Sequence, residues 1–166
     1  MAEADVMITI DSASVVANYG KNSSSGNPPS VDPKYIFMVT TQNSALSGNG
    51  GGELNLKVRV NDIIRWRETS LTAGSDQQIL LYEFVSTDPT SQLITKPEAS
   101  VTHPTVPFPD SNNPTKPVPT KISDFFWQCT VKNEGKVTYH FKFMVTDRDC
   151  NVLGYYQWDP FITITG

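Results

Sequence analysis

The chain has 166 residues, a net charge of −4 and a pI near 5.1. One domain of this size buries roughly 70% of the surface its unfolded chain exposes, and the acidic balance leaves no basic footprint for nucleic acid or an anionic membrane. Charged residues are only 18%, yet Val, Ile, Leu and aromatic residues recur in regular alternation, which excludes a disordered chain.

The first segment, Met1 to Val6, has neither a basic region nor an apolar stretch, so no classical signal peptide is expected. No run approaches the ~18 apolar residues of a membrane span. The expectation is a cytoplasmic protein, or one released by a non-classical route. Val6, Ile8 and Ile10 alternate with Met7, Thr9 and Asp11, a strand pattern. Ser12 to Tyr19 can form one short helical turn capped by Ser12 or Ser14. Gly20 and a Ser/Gly/Pro-rich stretch to Pro33 end it.

Tyr35 to Thr40 reads as a short strand. Gln42 to Gly52 holds Gly48-Asn49-Gly50-Gly51-Gly52, which has the glycines of a phosphate loop without its Lys-Ser/Thr or its helix, so a flexible connection is expected. Leu54 to Val60 alternates cleanly, Asn61-Asp62 is turn chemistry, and Ile63 to Arg67 follows as a strand. Ile79 to Val85 is another. The stretch from Asp88 to Thr120 carries most of the prolines and reads as a long connection whose Val101, Val106, Phe108 and Val118 lie along a sheet edge. Phe125 to Lys132 and Lys136 to Asp147 look like a hairpin joined by Asn133-Glu134-Gly135. The closing block, Asn151 to Thr165, reads as an anchored strand with Tyr156, Trp158, Ile162 and Ile164 on one face and Tyr155, Gln157, Asp159 and Phe161 on the other. The sum is an all-β fold in a single domain over residues 1–166: an antiparallel two-sheet β-sandwich of eight or nine strands with long Pro/Gly-rich loops.

Motifs of catalysis are missing. His103 sits in the Pro-rich stretch and His140 on a polar strand face, and nothing signals a nucleophile, base and orienter converging. A blue-copper set would need Cys129, His140, Met144 and His103 together, but Cys129 lies mid-strand. Asp147-Arg148-Asp149-Cys150-Asn151 begins like a calcium loop, but Val152 and Trp158 stand where an EF-hand needs Gly and Glu. A tight turn through Asx chemistry explains it instead. In the hairpin register, Cys129 and Cys150 are over ~20 Å apart, beyond disulfide reach. No metal or cofactor is expected. Core packing accounts for most aromatics. Arg65, Trp66 and Arg67, with Tyr155, Gln157, Trp158 and Asp159, are the candidate ligand or subunit contacts.

Three segments carry a family resemblance: Asp5 to Asp11, Asp62 to Leu71, and Val152 to Ile162 with its Gly-Tyr-Tyr-x-Trp-Asp-Pro-Phe block. With Tyr35 to Thr40 and Gly135 to Tyr139, they resemble the bacterial inclusion-body protein family (PixA/AidA-like) over nearly the whole chain. The resemblance implies a non-enzymatic protein of cytoplasmic inclusions on the PixA-like side, or of quorum-sensing control and host interaction on the AidA-like side. It transfers no catalytic residue. The methionine content departs from the inclusion-forming member: Met1, Met7, Met38 and Met144 are all there are, which argues against nutrient storage. The expected protein is therefore an AidA/PixA-type accessory protein acting by self-association, as a homodimer through exposed strand edges, or by binding a glycan or a host or bacterial protein. The alternative is a carbohydrate-binding, lectin-like module.

Overall fold

A computed structural model describes residues 1–166. Its strands are β1 (Glu3–Ile10), β2 (Ile36–Val39), β3 (Ala45–Ser47), β4 (Asn55–Arg59), β5 (Ile63–Ser70), β6 (Gln77–Ser86), β7 (Glu98–Thr102), β8 (Thr105–Pro109), β9 (Pro117–Lys121), β10 (Asp124–Thr130), β11 (Gly135–Asp147), β12 (Val152–Trp158) and β13 (Phe161–Thr165). One helix, α1 (Ser12–Tyr19), follows β1. Its cap is Asp11, not Ser12 or Ser14: the Asp11 carboxylate accepts the Ser14 amide at 3.1 Å, as an N-cap acid should.

The all-β expectation holds, but the purely antiparallel one does not. The first sheet runs β2-β1-β5-β10-β7, and β1 lies parallel to β5. The second is built on β11. Strands β12 and β13 share one of its edges in a single register, interrupted at Asp159-Pro160, and β6 takes the other edge. Parallel to β13 lies β4, and β3 closes that side.

The strand count is thirteen, above the eight or nine expected. Short β3, the division of the closing strand at Pro160, and β7, β8 and β9 from the stretch read as a long connection make up the difference. The expected hairpin of residues 125–132 with 136–147 does not form. Strand β10 pairs with β5 and β7 while β11 pairs in the other sheet, so the residues between them cross from sheet to sheet. The Asn61-Asp62 turn crosses likewise from β4 to β5.

The core lies between the sheets and follows the period of two. Val6, Ile8 and Ile10 meet Ile64 and Trp66 from one sheet; Phe141, Phe143, Val145, Tyr156, Trp158, Ile162 and Ile164 come from the other. Two Gly/Ser/Pro-rich loops seal sheet edges. Residues 22–31 hydrogen-bond along β12, with the Tyr155 amide to Asn22 O, the Gln157 amide to Pro29 O and the Val31 amide to Gln157 O, at 2.9–3.0 Å. The glycine-rich loop does the same for β2: the Gly50 amide donates to Met38 O at 2.8 Å, and the Asn49 side chain pairs with both the amide and carbonyl of Thr40 at 3.0 Å. That loop is an edge cover, not a phosphate cradle.

Candidate functional site

Arg65 and Arg67 alternate outward from β5 while Trp66 points inward. The Arg65 guanidinium grips Glu3 through two bonds of 2.7 Å. Arg67 bridges Asp124, at 3.0 Å from both Nε and Nη2, and Asp5, at 2.7 Å. The Phe126 ring lies under both, 4.8 Å from Arg67 and 5.6 Å from Arg65. Asp124, then Asp5, holds Arg67 even more firmly protonated than usual. These cations are occupied by carboxylates and offer no free charge to an anion. Trp66 is 0% exposed. Its indole donates to the Tyr139 hydroxyl at 3.1 Å inside a cluster with Phe84 and Phe141.

The closing block sits on the other sheet, so the structure does not unite the two groups of candidate residues. Trp158 is 2% exposed and stacks on Phe141 at 5.9 Å. Tyr155 packs edge-on against Tyr82 at 5.6 Å, Gln157 lies under the 29–31 segment, and Asp159 is exposed at the strand break. The block's signature is structural. Gly154 leaves room for the Tyr156 ring to lie over it, and the Tyr156 hydroxyl donates to Gly20 O at 2.6 Å, tying the last strands to the end of α1. With Trp66 and Trp158 buried and Trp127 half-buried, the sugar-stacking reading loses its main carriers.

The remaining candidates resolve in the same way. Asp147 accepts the Asp149 and Asn151 amides at 2.9 Å, an Asx turn. Cys129 is buried in the first sheet and burial pushes its thiol up to about 12, while Cys150 is exposed between β11 and β12; both are free thiols. The nearest polar partner of His103 is Ser123 Oγ at 3.3 Å. No three His, Cys, Asp or Glu side chains are grouped to hold a metal.

Two features escaped the sequence reading. The first is Glu68, which follows Ile64 and Trp66 on the inward face of β5. One carboxylate oxygen accepts the Leu81 amide of β6 at 3.1 Å, and the other is buried without a partner. Burial pushes this carboxyl up to about 7. It lines a cleft of about 440 Å³ with Arg67, Gln78, Leu80, Asp124 and Phe125, where β10 splays away from β5. Its period-two position was the available signal.

The second is an arm. Thr102 faces Asp124 and Thr105 faces Lys121, and the Ile122 amide donates to Pro104 O at 3.0 Å between them. One register therefore runs through, and β8–β9 is a ribbon extending β7–β10 beyond the sandwich. Prolines pair with prolines, Pro107 with Pro119 and Pro109 with Pro117. Neither partner of such a pair has an amide to donate, so the ladder bonds fall at Val106–Thr120 and Phe108–Val118.

The model of the PixA inclusion body protein family matches residues 2–164. The chain belongs to that family. A crystal structure of the inclusion body protein from Burkholderia cenocepacia J2315 superposes with a TM-score of 0.83 at 19% identity, covering 99% of this chain and 96% of that one. This similarity shows the fold. A cysteine protease inhibitor from Entamoeba histolytica, with a TM-score of 0.30 at 17% identity over 67% of this chain and 86% of its own, carries no argument. No curated protein sequence matches the chain. No helix is long and apolar enough to cross a membrane.

Proposed function

We propose that this member of the PixA family is a non-enzymatic accessory protein that works by self-association in the cytoplasm. The observation that carries the reading is the β8–β9 ribbon: a proline-rich arm on which Phe108 is 46% exposed and Val106 and Val118 are half-buried. Contiguous exposed apolar surface on a folded chain marks an interaction site. Arginines already neutralised by Glu3, Asp5 and Asp124 support a surface-shaping role over anion binding. The four methionines favour an accessory role of the AidA-like kind, tied to population density or to a host, over amino-acid storage.

The test is sedimentation equilibrium of the full chain across a hundred-fold concentration range, alongside microscopy of cells producing it from its natural level upward. Concentration-dependent assembly, with inclusions above a threshold, is expected. A strictly monomeric protein at the highest concentration would exclude the reading.

A further inference from the structure

Sheet register locates a flank at which the sandwich is incomplete. In the first sheet Trp127 stands opposite Trp66, Ala99 opposite Trp127 and Val101 opposite Phe125. Directly opposed residues share a face, so Ala99, Val101, Phe125 and Trp127 belong to the inner face, on which Trp66 is buried. They are not covered as Trp66 is. Val101 is 58% and Phe125 40% exposed, Ala99 is exposed and Trp127 half-buried. The cause is a mismatch of sheet widths. The second sheet ends at β6, and β6 lies across from β5, with the Leu81 amide on Glu68 and the Phe84 ring 5.9 Å from Trp66. Strands β10 and β7 therefore overhang it by two strand spacings, about 10 Å.

Beneath the overhang the backbone of β6 is open. The Thr87 amide donates to Thr138 O, and the antiparallel register then turns Glu83 and Val85 toward β11 and the amides and carbonyls of Phe84 and Ser86 away from it. Nearer the start of β6 the outward amides are capped by side chains, that of Leu81 by Glu68 and that of Ile79 by Gln78. Phe84 and Ser86 receive no such cap. They line a groove of about 340 Å³ whose far wall is Thr95, Lys96 and Pro97. Of the charges there, Glu83 is held by Lys142 and Asp88 by the amides of residues 92–94. Lys96 is the one left unengaged.

Each feature specifies its occupant. A row of outward amides and carbonyls two residues apart is matched by another extended backbone. An apolar inner face is matched by apolar side chains at every second position of that backbone, and the ammonium of Lys96 by a carboxylate. The overhang excludes a second copy joined edge to edge: with the two β6 strands antiparallel, the β10–β7 overhangs of both copies would fall in one layer and collide. A lone segment fits.

We propose that the flank between β6 and the overhanging β7 and β10 is a strand-acceptor site. It takes from a partner polypeptide an extended, alternately apolar segment bearing an acidic residue, and pairs it with Phe84 and Ser86. The recess is separate from the β8–β9 ribbon, so the site stands or falls independently of self-association.

The experiment uses the full chain, with amide hydrogen exchange followed by NMR and peptides selected from a displayed library of random twelve-residue sequences. In the free chain the Phe84 and Ser86 amides exchange about 100-fold or more faster than those of Glu83 and Val85. Selected peptides share apolar residues at alternate positions and an acid, and a synthetic copy slows both amides by about 10-fold or more. Methylating that peptide's backbone nitrogens at every second residue, in one of the two phases, weakens binding by about 10-fold or more through lost ladder bonds. Val101→Asp, verified as folded by circular dichroism, weakens it likewise, and Leu46→Asp on β3, at the opposite edge of the second sheet, leaves it unchanged. Phe84 and Ser86 amides already protected in the free, dilute chain would show a filled edge and overturn the proposal. So would a library that yields no binder, or a binder indifferent to N-methylation in both phases or to Val101→Asp. Protection that appears only as the chain is concentrated without peptide would put a second copy in the recess and overturn the partner segment.

Discussion

Protonation of Glu68 couples stability to pH in a direction opposite to that of most carboxylates. Its carboxyl moves from an ordinary 4.5 to about 7 on folding because burial penalises the charge, and only the Leu81 amide offsets it. The folded state therefore holds the proton more tightly than the unfolded one. The resulting stability is complete below the unfolded value and is lost as pH rises through about 7. A shift of this size corresponds to about 3 kcal/mol.

Glu68→Gln keeps an acceptor for the Leu81 amide and cannot titrate. The assay is urea unfolding followed by tryptophan fluorescence at steps from about pH 4.5 to about pH 8. Subtracting variant from wild type cancels the contributions the two proteins share. The difference should move by about 3 kcal/mol in favour of the variant across that range, with its midpoint between the two values. A difference flat to within about 0.5 kcal/mol would mean that Glu68 is solvated and that the cleft at the arm's root is open to water.

Gly154→Ala drives a Cβ into the Tyr156 ring, 2.6 Å from Cζ. It should cost about 1–3 kcal/mol and lower Tm by about 2–4 °C for each of them; thermal melts that give the same cost in a Tyr156→Ala background would remove the steric reason. Tyr139→Phe leaves the buried Trp66 indole without its acceptor and should cost about 1–3 kcal/mol in urea unfolding, whereas a neutral result would place water beside Trp66. In native protein a thiol reagent should titrate exposed Cys150 quickly and buried Cys129 only on unfolding; two fast thiols would contradict the packing of β10.

Period-two reasoning worked wherever a strand is buried on one face. Tyr156, Trp158, Ile162 and Ile164 are all core, and Arg65 and Arg67 point away from Trp66, because alternation fixes the face whatever the partner strand. It could not choose the partners. The parallel pairs β1–β5 and β13–β4 join segments about sixty and a hundred residues apart, and no local pattern encodes such pairing. Asn133-Glu134-Gly135 resembled a hairpin turn because turn chemistry is the same whether the chain doubles back in one sheet or crosses to the other. The stretch from 88 to 120 was read as loop because proline breaks strands, yet in a two-stranded ribbon proline is compatible with every position whose amide points outward. Of the candidate site, the guanidinium face was legible; the burial of Trp66 and Trp158 was open, since an indole serves core and surface alike.

The distribution of edge protection constrains how copies can meet. Loop 22–31 occupies the edge of β12 and the glycine-rich loop that of β2, Glu68 takes the Leu81 amide at the edge of β6, and prolines empty the ribbon edges of donors. What stays open is β3 with three residues, β7 with five, and the ten-residue β6, on whose free edge Glu68 takes only the Leu81 amide. Exposed apolar side chains lie at the ribbon (Phe108) and the β1–β2 flank (Met7, Phe37, Val39), and equally at Leu46, Leu71, Val101, Phe125, Val152 and Phe161. Assembly through side-chain contacts buries surfaces of defined shape, whereas edge pairing adds strand to strand through the backbone alone.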